Sequence, residues 1–260
     1  MLLELAKILD SALLETREVE RLTAKVPDLK LDDAYRIQDE GIKFRLARGE
    51  KLIGLKMGLT SKAKREQMNL SSPVYGVLTD RMQQRDGEVF SLKGKIHPKI
   101  EPEIAFIIGK RELRGRVTAQ QALEACSGIC AAMEILDSRF VGFKYFSLPD
   151  VVADNSSSAY FVLSSKVHDP GKFDLASLAK LQMSMEVDGK PVQTAFSSEI
   201  SGNPVNSIVQ LCEILDSRGL VLPAGSIVLA GAATQAVQLV AGMKVCLRVP
   251  TLGEVSLVVA

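Results

Sequence analysis

The chain has 260 residues, of which 47% are hydrophobic, and is therefore long enough to bury a substantial core as one large domain or as a domain with a smaller attachment. Its 32 Lys and Arg residues nearly balance 31 Asp and Glu residues, the net charge is +1, and no basic stripe stands out, so we expect no nucleic-acid partner. The apolar runs are shorter than a membrane span and the N-terminus does not resemble a signal peptide, which predicts a cytoplasmic protein without a membrane partner.

Helical spacing dominates the first fifty residues. Apolar residues within 2–14 recur at the intervals that place them on one face of a helix. A second helix is predicted at 31–49, with aspartates at its start and a glycine at its end. The segment 52–58, which lies between glycines, then predicts a short strand.

From about residue 74 the sequence becomes rich in predicted strands. Asp188-Gly189 has the composition of a hairpin turn, and helices are predicted at 118–126, where Thr118 is a candidate cap, and at 204–218. Because the strands do not alternate strictly with helices, we expect an α+β fold around a mixed or antiparallel sheet. The predicted strands are 103–108, 129–136, 159–163, 181–187, 226–230, 243–249 and 254–259.

Two glutamates separated by a proline form the first candidate site. In a strand, Glu101 and Glu103 point to the same side and present two carboxylates on one face. Pro102 cannot donate to a strand ladder, which indicates an edge or a strand entrance. Glu134 interrupts an otherwise apolar predicted strand and needs a partner there. Carboxylates this close in a dry site must be protonated or bridged by a cation.

The residue types indicate which ion such a site would hold. Three carboxylates without a convincing His or Cys ligand suit a hard ion that prefers oxygen, so we expect Mg²⁺ or Mn²⁺ and not Zn²⁺. The alternative is that Glu101 and Glu103 line a solvated edge while Glu134 pairs with Arg139. For an isolated Glu-x-Glu pair this solvated-edge alternative is the commoner outcome. Further residues are therefore needed to support a metal site.

Other segments place polar or small residues beside apolar ones. Lys56, in an apolar strand flanked by glycines, either extends to solvent or lies near an anionic site. The cluster 154–158 is either a surface turn or a loop that directs hydroxyl and amide groups at a ligand. The strand before Thr234 ends in small residues, which suits a backbone close to a substrate or a tight turn. Asp80 is either a cap or an acid in a pocket.

Five motifs follow one another along the chain: Gly54-Leu55-Lys56-Met57-Gly58-Leu59-Thr60-Ser61, Tyr75-Gly76-Val77-Leu78-Thr79-Asp80, Glu101-Pro102-Glu103-Ile104-Ala105, Met133-Glu134-Ile135 and Val152-Ala153-Asp154-Asn155-Ser156-Ser157-Ser158. Together they resemble the hydratase/decarboxylase family of aromatic meta-cleavage pathways, which is related to the fumarylacetoacetate hydrolase fold. The resemblance extends over essentially the whole chain. It implies a small N-terminal α/β portion, placed at 1–75, and a larger β-rich catalytic core, placed at 76–260.

The resemblance also implies roles for individual residues. Glu101, Glu103 and Glu134 match the metal ligands of the family, and Lys56 matches its active-site lysine. Asp80 is expected as a second catalytic residue. The expected substrate-binding residues are Leu59, Thr60, Asp154, Asn155, Ser156 and Thr234.

Two sister activities share these motifs, 2-oxo-3-hexenedioate decarboxylase and 2-hydroxypenta-2,4-dienoate hydratase. The decarboxylase is favoured because the run His97-Pro98-Lys99 and the segment 135–146 are closer to the decarboxylases. The resemblance therefore implies an α-keto dicarboxylate as substrate, and a homo-oligomer or a complex with the pathway hydratase as the assembly.

Two questions about the substrate stay open at the level of sequence. A C–C hydrolase of the same fold would need a His–Glu pair near the metal, and neither histidine offers an obvious one. For the distal carboxylate of a dicarboxylate substrate, the sequence offers only nearby cations, namely Lys62, Lys64, Lys99 and Arg139.

Overall fold

Helices form the N-terminal part of the chain in the computed structural model, which describes residues 1–61, 73–144 and 147–260. The first helix, α1 (Leu2–Glu15), buries one apolar stripe, as its leucine spacing predicts. After the short helix α2 (Leu22–Lys25), α3 (Leu31–Ala47) packs against α1. None of the helices in the described ranges is both long and apolar enough to cross a membrane.

Two sheets form the rest of the fold. The larger sheet has the strand order β2-β1-β10-β5-β6-β7-β3, and β11 pairs with β5. Its strands are β1 (Leu52–Gly58), β2 (Val74–Thr79), β3 (Gln83–Gln84), β5 (Lys99–Ile108), β6 (Cys126–Leu136), β7 (Ser158–Leu163), β10 (Ile227–Leu229) and β11 (Val237–Gln238).

The second sheet has the order β4-β13-β12-β8-β9 and packs against β6. Asp188 and Gly189 both have positive φ, and they join β8 to β9 as the predicted hairpin turn. The strands of this sheet are β4 (Val89–Phe90), β8 (Gln182–Val187), β9 (Lys190–Phe196), β12 (Lys244–Val249) and β13 (Gly253–Val259).

In the described part of the chain, four more helices connect the strands. The predicted cap Thr118 accepts a hydrogen bond from the backbone N–H of Gln121 at the start of its helix. The helix predicted at 204–218 is present and begins after the cap Asn203. These helices are α4 (Ala119–Glu124), α5 (Leu148–Ala153), α6 (Leu175–Leu178) and α7 (Pro204–Ser217).

The register of the large sheet brings five strand ends to one edge. β1 is antiparallel to β2 and parallel to β10. Both β10 and β6 are antiparallel to β5, and β7 is antiparallel to β6. The carboxyl ends of β1 and β6 therefore lie beside the amino ends of β2, β5 and β7. We call this edge the mouth of the sheet, and it is where most of the polar residues predicted from the sequence gather.

The two faces of the large sheet differ in what they bury. Alternate residues of β5 and β6, such as Ile104 and Met133, belong to the main apolar core shared with the helices and the second sheet. The opposite face, which we call the inner face, carries Glu101, Glu103 and Glu134 above a smaller apolar cluster. That cluster consists of Leu78, Met82, Ala105, Cys130, Ala132, Phe161 and Leu229.

The predicted α+β fold with a β-rich core is thus confirmed. The predicted boundary at residue 75 falls inside β2, because the large sheet already includes β1 and begins at Leu52. The helical N-terminal part ends before that strand. The division of the chain into two domains remains a proposal.

Candidate metal centre and active site

Three carboxylates meet on the inner face near the mouth. Glu101 lies directly opposite Glu134 in the β5–β6 ladder, and Glu103 follows on the same face. One oxygen from each of the three lies within 4.8 Å of the others. Glu103 and Glu134 are fully buried and Glu101 is half-buried, so the group opens toward the mouth.

Lys56 enters this group from β1. Its Nζ donates to Glu134 Oε2 at 2.9 Å, and both side chains are buried. β10 and β5 lie between β1 and β6 in the sheet, and neighbouring strands are about 4.8 Å apart, so the sheet must be strongly curled for this contact to form. The predicted alternative of a Glu134–Arg139 pair is wrong.

Backbone and hydroxyl donors hold the two buried carboxylates. Glu103 Oε2 accepts from the backbone N–H of Gly231 at 2.7 Å, and Glu134 Oε1 accepts from Ser158 Oγ at 3.0 Å. Gly231 has φ of +105°, and a Cβ there would lie 2.4 Å from Thr60 Oγ1. Only glycine therefore allows this amide to approach Glu103 so closely.

Burial and mutual repulsion dominate the electrostatics of the group. Burial, followed by the charges of Glu134 and Glu101, raises the pKa of Glu103 well above its ordinary value. Burial opposes the charge of Lys56, but the carboxylates, Glu134 first, outweigh it and raise the pKa of Lys56. Lys56 is thus an ammonium that neutralises only part of the negative charge.

The donor set fits a divalent cation. Glu103 Oε1 is buried and accepts no hydrogen bond from any residue of the described ranges, which leaves a carboxylate oxygen available as a ligand. Three carboxylate oxygens within reach of one ion are the ligands that Mg²⁺ and Mn²⁺ prefer. Glu101, Glu103 and Glu134 are the residues that would hold it.

A cavity of about 180 Å³ opens from these residues to the mouth. Of the predicted site residues, Lys56, Leu59, Thr60, Glu101 and Ser156 all line it. Its remaining walls come from Gly58, Ser61, Val74, Leu136, Val151 and Ala232.

The turn after α5 is buried, and its first two polar side chains serve the fold. Asp154 forms a buried ion pair with Arg139 and accepts from the Arg139 backbone N–H at 3.2 Å. Asn155 accepts from Val77 N–H at 2.8 Å and donates to Val77 O at 3.0 Å. The prediction that Asp154 and Asn155 bind substrate is not supported, because their polar groups are used by Arg139 and β2.

Ser156 has a double function in the same turn. Its Oγ donates to Tyr75 O at 2.9 Å, and the residue lines the cavity. Residues 155–157 all have positive φ, a backbone conformation that is costly for residues other than glycine. The buried hydrogen bonds to β2 hold this strained turn against the mouth.

The remaining two predictions have different outcomes. Asp80 is exposed at the far end of β2 from the mouth, where its Oδ1 accepts from Lys51 N–H at 2.8 Å, so its position supports a role in the turn and not in catalysis. Thr234 follows a segment in which Ala233 N–H donates to Pro102 O. It is nearly buried beside the strand of the glutamates but does not line the cavity.

Three contributors were missed at the level of sequence. Ser158 and Gly231 hold the buried glutamates, and Leu136 lines the cavity opposite β5. Ser158 ends the polar cluster after residue 154, and Gly231 ends a run of small residues, so both lay in segments already singled out. Leu136 carries no such signal, because an apolar strand residue predicts only burial.

A His–Glu pair is present, although neither of its residues lines the cavity of the three glutamates. His97 Nε2 lies 2.6 Å from Glu18 Oε1, and both side chains are partly exposed. The two residues are far apart in the chain, which is why their spacing did not reveal the pair. Glu18 also accepts from the backbone N–H of Gly142 at 2.6 Å.

Comparison with known proteins places this geometry in a family. Residues 55–260 match the model of the fumarylacetoacetate (FAA) hydrolase C-terminal domain. A 4-oxalocrotonate decarboxylase from Pseudomonas sp is 42% identical over 236 residues, covering 88% of this chain and 90% of the relative. A 2-hydroxyhexa-2,4-dienoate hydratase from Comamonas testosteroni is 35% identical over 249 residues, covering 95% and 92%.

A solved structure agrees with the same assignment. The 4-oxalocrotonate decarboxylase from Pseudomonas putida G7, complexed with magnesium and adipate, has a TM-score of 0.95 at 34% identity and covers 100% of this chain and 97% of its own. The chain therefore belongs to the fumarylacetoacetate hydrolase family. Within that family it groups with decarboxylases and hydratases, and the resemblance and enzyme class predicted from the sequence are confirmed.

Proposed function

We propose that this enzyme decarboxylates 2-oxo-3-hexenedioate to 2-hydroxypenta-2,4-dienoate and CO₂ with the aid of Mg²⁺ or Mn²⁺. The observation that carries the proposal is the buried group of three carboxylates with Lys56, which offers a cation site and a proton donor on one cavity. The higher identity to a decarboxylase, 42%, than to a hydratase, 35%, supports the choice between the sister reactions.

The chemistry follows from the substrate. Cleavage of the C5–C6 bond releases CO₂ and leaves the electron pair at C5, from which it delocalises through the C3–C4 double bond onto the C2 oxygen. A divalent ion held by Glu101, Glu103 and Glu134 would act as a Lewis acid for the charge that develops on that oxygen.

Lys56 is the proton source in this scheme. In the metal-free protein the charges of the glutamates, Glu134 first, outweigh burial and raise the pKa of Lys56, which is an ammonium beside the carboxylates that would hold the oxygen-binding ion. Transfer of its proton to the C2 oxygen completes the enol product, and a proton from solvent restores the ammonium. Leu59, Leu136 and Val151 form the apolar part of the cavity wall, and such low-polarity surroundings strengthen charge interactions.

A paired assay tests the proposal. Purified protein loaded with Mg²⁺ or Mn²⁺ is given 2-oxo-3-hexenedioate and, separately, freshly made 2-hydroxypenta-2,4-dienoate. We expect CO₂ release from the first substrate, its loss on chelation, and no hydration of the second. Hydration of the dienol without CO₂ release would instead establish the hydratase. The Glu103→Gln variant serves as the matched control, since it removes one ligand charge and little volume.

Assembly is part of the proposal. The expected homo-oligomer or complex with the pathway hydratase would pass the unstable dienol directly to the next reaction. Copurification of the two enzymes, followed by light scattering of the separated and mixed proteins, tests this expectation.

A further inference from the structure

We propose that Lys99 is the cation that receives the distal carboxylate of the substrate and that it makes the site selective for dicarboxylates. The inference rests on the proposed function, which requires a substrate with two carboxylates, but it concerns the end of the substrate remote from the metal ligands. Of the nearby cations named from the sequence, Lys62 and Lys64 lie outside the described residues, whereas Arg139 and Lys99 have defined positions.

The strand geometry places Lys99 on the inner face. Lys99, Glu101 and Glu103 alternate along β5, so all three share one face of the sheet. Lys99 pairs with Leu136 across the ladder, just as Glu101 pairs with Glu134, and Leu136 lines the cavity. Burial increases from Glu101 to Glu103, which makes Lys99 the residue of this row at the mouth.

The spacing along the strand matches the length of the substrate. Two residues of an antiparallel strand span roughly 6.6–6.8 Å, which separates the Lys99 and Glu101 backbones. This is close to the distance between the carboxyl carbons of an extended six-carbon diacid. A substrate whose α-keto end meets the three glutamates therefore extends its other carboxylate toward the start of β5.

The ammonium of Lys99 is available for such a contact. Its Nζ lies 4.2 Å from the centre of the Phe143 ring, and it forms no ion pair with any residue of the described ranges. An ammonium over an aromatic face is partly desolvated but keeps hydrogen-bond donors for an anion.

Two other cations near the cavity already form buried ion pairs. Arg139 is buried and paired with Asp154, and Lys56 is paired with Glu134. Glu18 is held by His97 and accepts from the backbone N–H of Gly142. His97 itself stacks on the Phe143 ring, with centroids 6.3 Å apart. Lys99 is thus a described cation that remains able to receive a carboxylate at the mouth.

The chemistry of the reaction decides which kinetic constant Lys99 controls. The distal carboxylate loses its charge as CO₂ forms, so its interaction with an ammonium is stronger in the bound substrate than in the transition state. A contact of this kind contributes to substrate binding and not to the rate at which the bound substrate reacts. Removal of the Lys99 charge is therefore expected to raise KM while kcat stays constant or increases.

Binding of two unreactive acids tests the inference without turnover. 2-Oxoadipate has the six-carbon chain with two carboxylates, and 2-oxohexanoate has the same length with one. Titration calorimetry on Mg²⁺-loaded protein compares Lys99→Met, Lys99→Arg and Lys95→Met. Lys95 is a matched control because its Nζ also lies over aromatic rings, those of Phe90 and Tyr160, while the residue lies outside β5 and therefore outside the row of Lys99, Glu101 and Glu103.

We expect Lys99→Met to weaken 2-oxoadipate about tenfold or more, the size of a lost charge-assisted hydrogen bond, and to leave 2-oxohexanoate within about twofold. Lys99→Arg should keep the preference for the diacid, and Lys95→Met should behave as the parent protein. Equal weakening of both acids by Lys99→Met, or no weakening of the diacid, would overturn the inference.

Steady-state kinetics separate this inference from the proposed function. If the parent protein releases CO₂ but Lys99→Met has an unchanged KM, the inference alone is rejected. If the parent protein releases no CO₂ but Lys99→Met still loses affinity for 2-oxoadipate selectively, the proposed reaction is rejected and the dicarboxylate subsite stands. Thermal unfolding of every variant establishes that altered binding does not come from loss of the fold.

Discussion

Lys56 and Glu134 form an ion pair of 2.9 Å in which the two side chains are 3% and 0% exposed. A buried pair of this kind is costly to desolvate, and proteins often gain stability when apolar residues replace it. Here the pair lies beside two further carboxylates, so the ammonium cannot balance the whole group. The arrangement is better suited to holding a cation than to stabilising the fold.

The metal ligands are expected to act together. Replacing Glu101, Glu103 or Glu134 with Gln removes one charged ligand while nearly preserving the side-chain volume. Loss of a residue that only supports a metal ligand weakens metal binding roughly 10- to 100-fold. Each of these changes removes a ligand itself, so it should weaken Mg²⁺ binding by more than that and abolish turnover. Isothermal titration with Mg²⁺ measures the affinity. Full activity of Glu103→Gln in the presence of a chelator would falsify the metal scheme.

Lys56 is expected to separate metal binding from catalysis. In Lys56→Met the chain length of the side chain is kept but the ammonium is gone, so no cation competes for Glu134. We expect Mg²⁺ affinity to be retained or increased, while kcat falls about 10²- to 10⁴-fold because a proton donor is lost. Mg²⁺ titration and single-turnover kinetics on the same preparation check both halves. Retained turnover would show that Lys56 serves only to balance charge.

The pH dependence of stability is expected to report on Glu103. Burial, then the charges of Glu134 and Glu101, raises its pKa well above 4.5, the ordinary value that we assign to the unfolded chain. Without metal, the folded protein keeps a proton that the unfolded chain has released. Its free energy of unfolding therefore falls as pH rises from about 4.5 toward the raised pKa.

The Glu103→Gln variant isolates this effect. Its side chain does not titrate, so the difference in unfolding free energy between the variant and the parent protein should increase with pH in chelator. Urea denaturation followed by circular dichroism measures the difference, since the chain contains no tryptophan. Saturating Mg²⁺ should reverse the loss of stability that the parent protein shows with rising pH, because the ion stabilises the ionised carboxylate. Parallel curves at all pH values would contradict the assignment.

Asp154 is expected to matter for stability and not for substrate affinity. Its removal leaves the buried Arg139 guanidinium without its partner, and breaking a buried pair in this way costs roughly 3–5 kcal/mol. Asp154→Ala should therefore lower the urea midpoint strongly while the folded fraction keeps the KM of the parent protein.

The matched control for this prediction is Asp80→Asn. Asp80 is exposed and its carboxylate accepts one backbone hydrogen bond, so the change should cost about 1 kcal/mol or less and leave kcat unaltered. A large loss of kcat in Asp80→Asn would restore the catalytic role expected from the sequence.

Local periodicity alone was sufficient for much of the fold and for placing two of the proposed metal ligands on one face of a strand. Helical spacing predicted α1 and α3, and Asp188-Gly189 predicted a hairpin because a tight turn needs positive φ at both residues. The placement of Glu101 and Glu103 on one face follows from strand alternation, which neighbouring residues determine. These features require no knowledge of which strands pair.

Only the tertiary structure decided which charged groups meet. Lys56 reaches Glu134 because a curled sheet brings β1 and β6 together across two intervening strands. Arg139 is nearer to Glu134 in the sequence than Lys56 is, but it forms its ion pair with Asp154. The strand order likewise sends Asp80 to the end of β2 away from the cavity while Lys99 stays at the mouth. Partners distant in sequence are selected by strand order and curvature, which no local pattern of residues encodes.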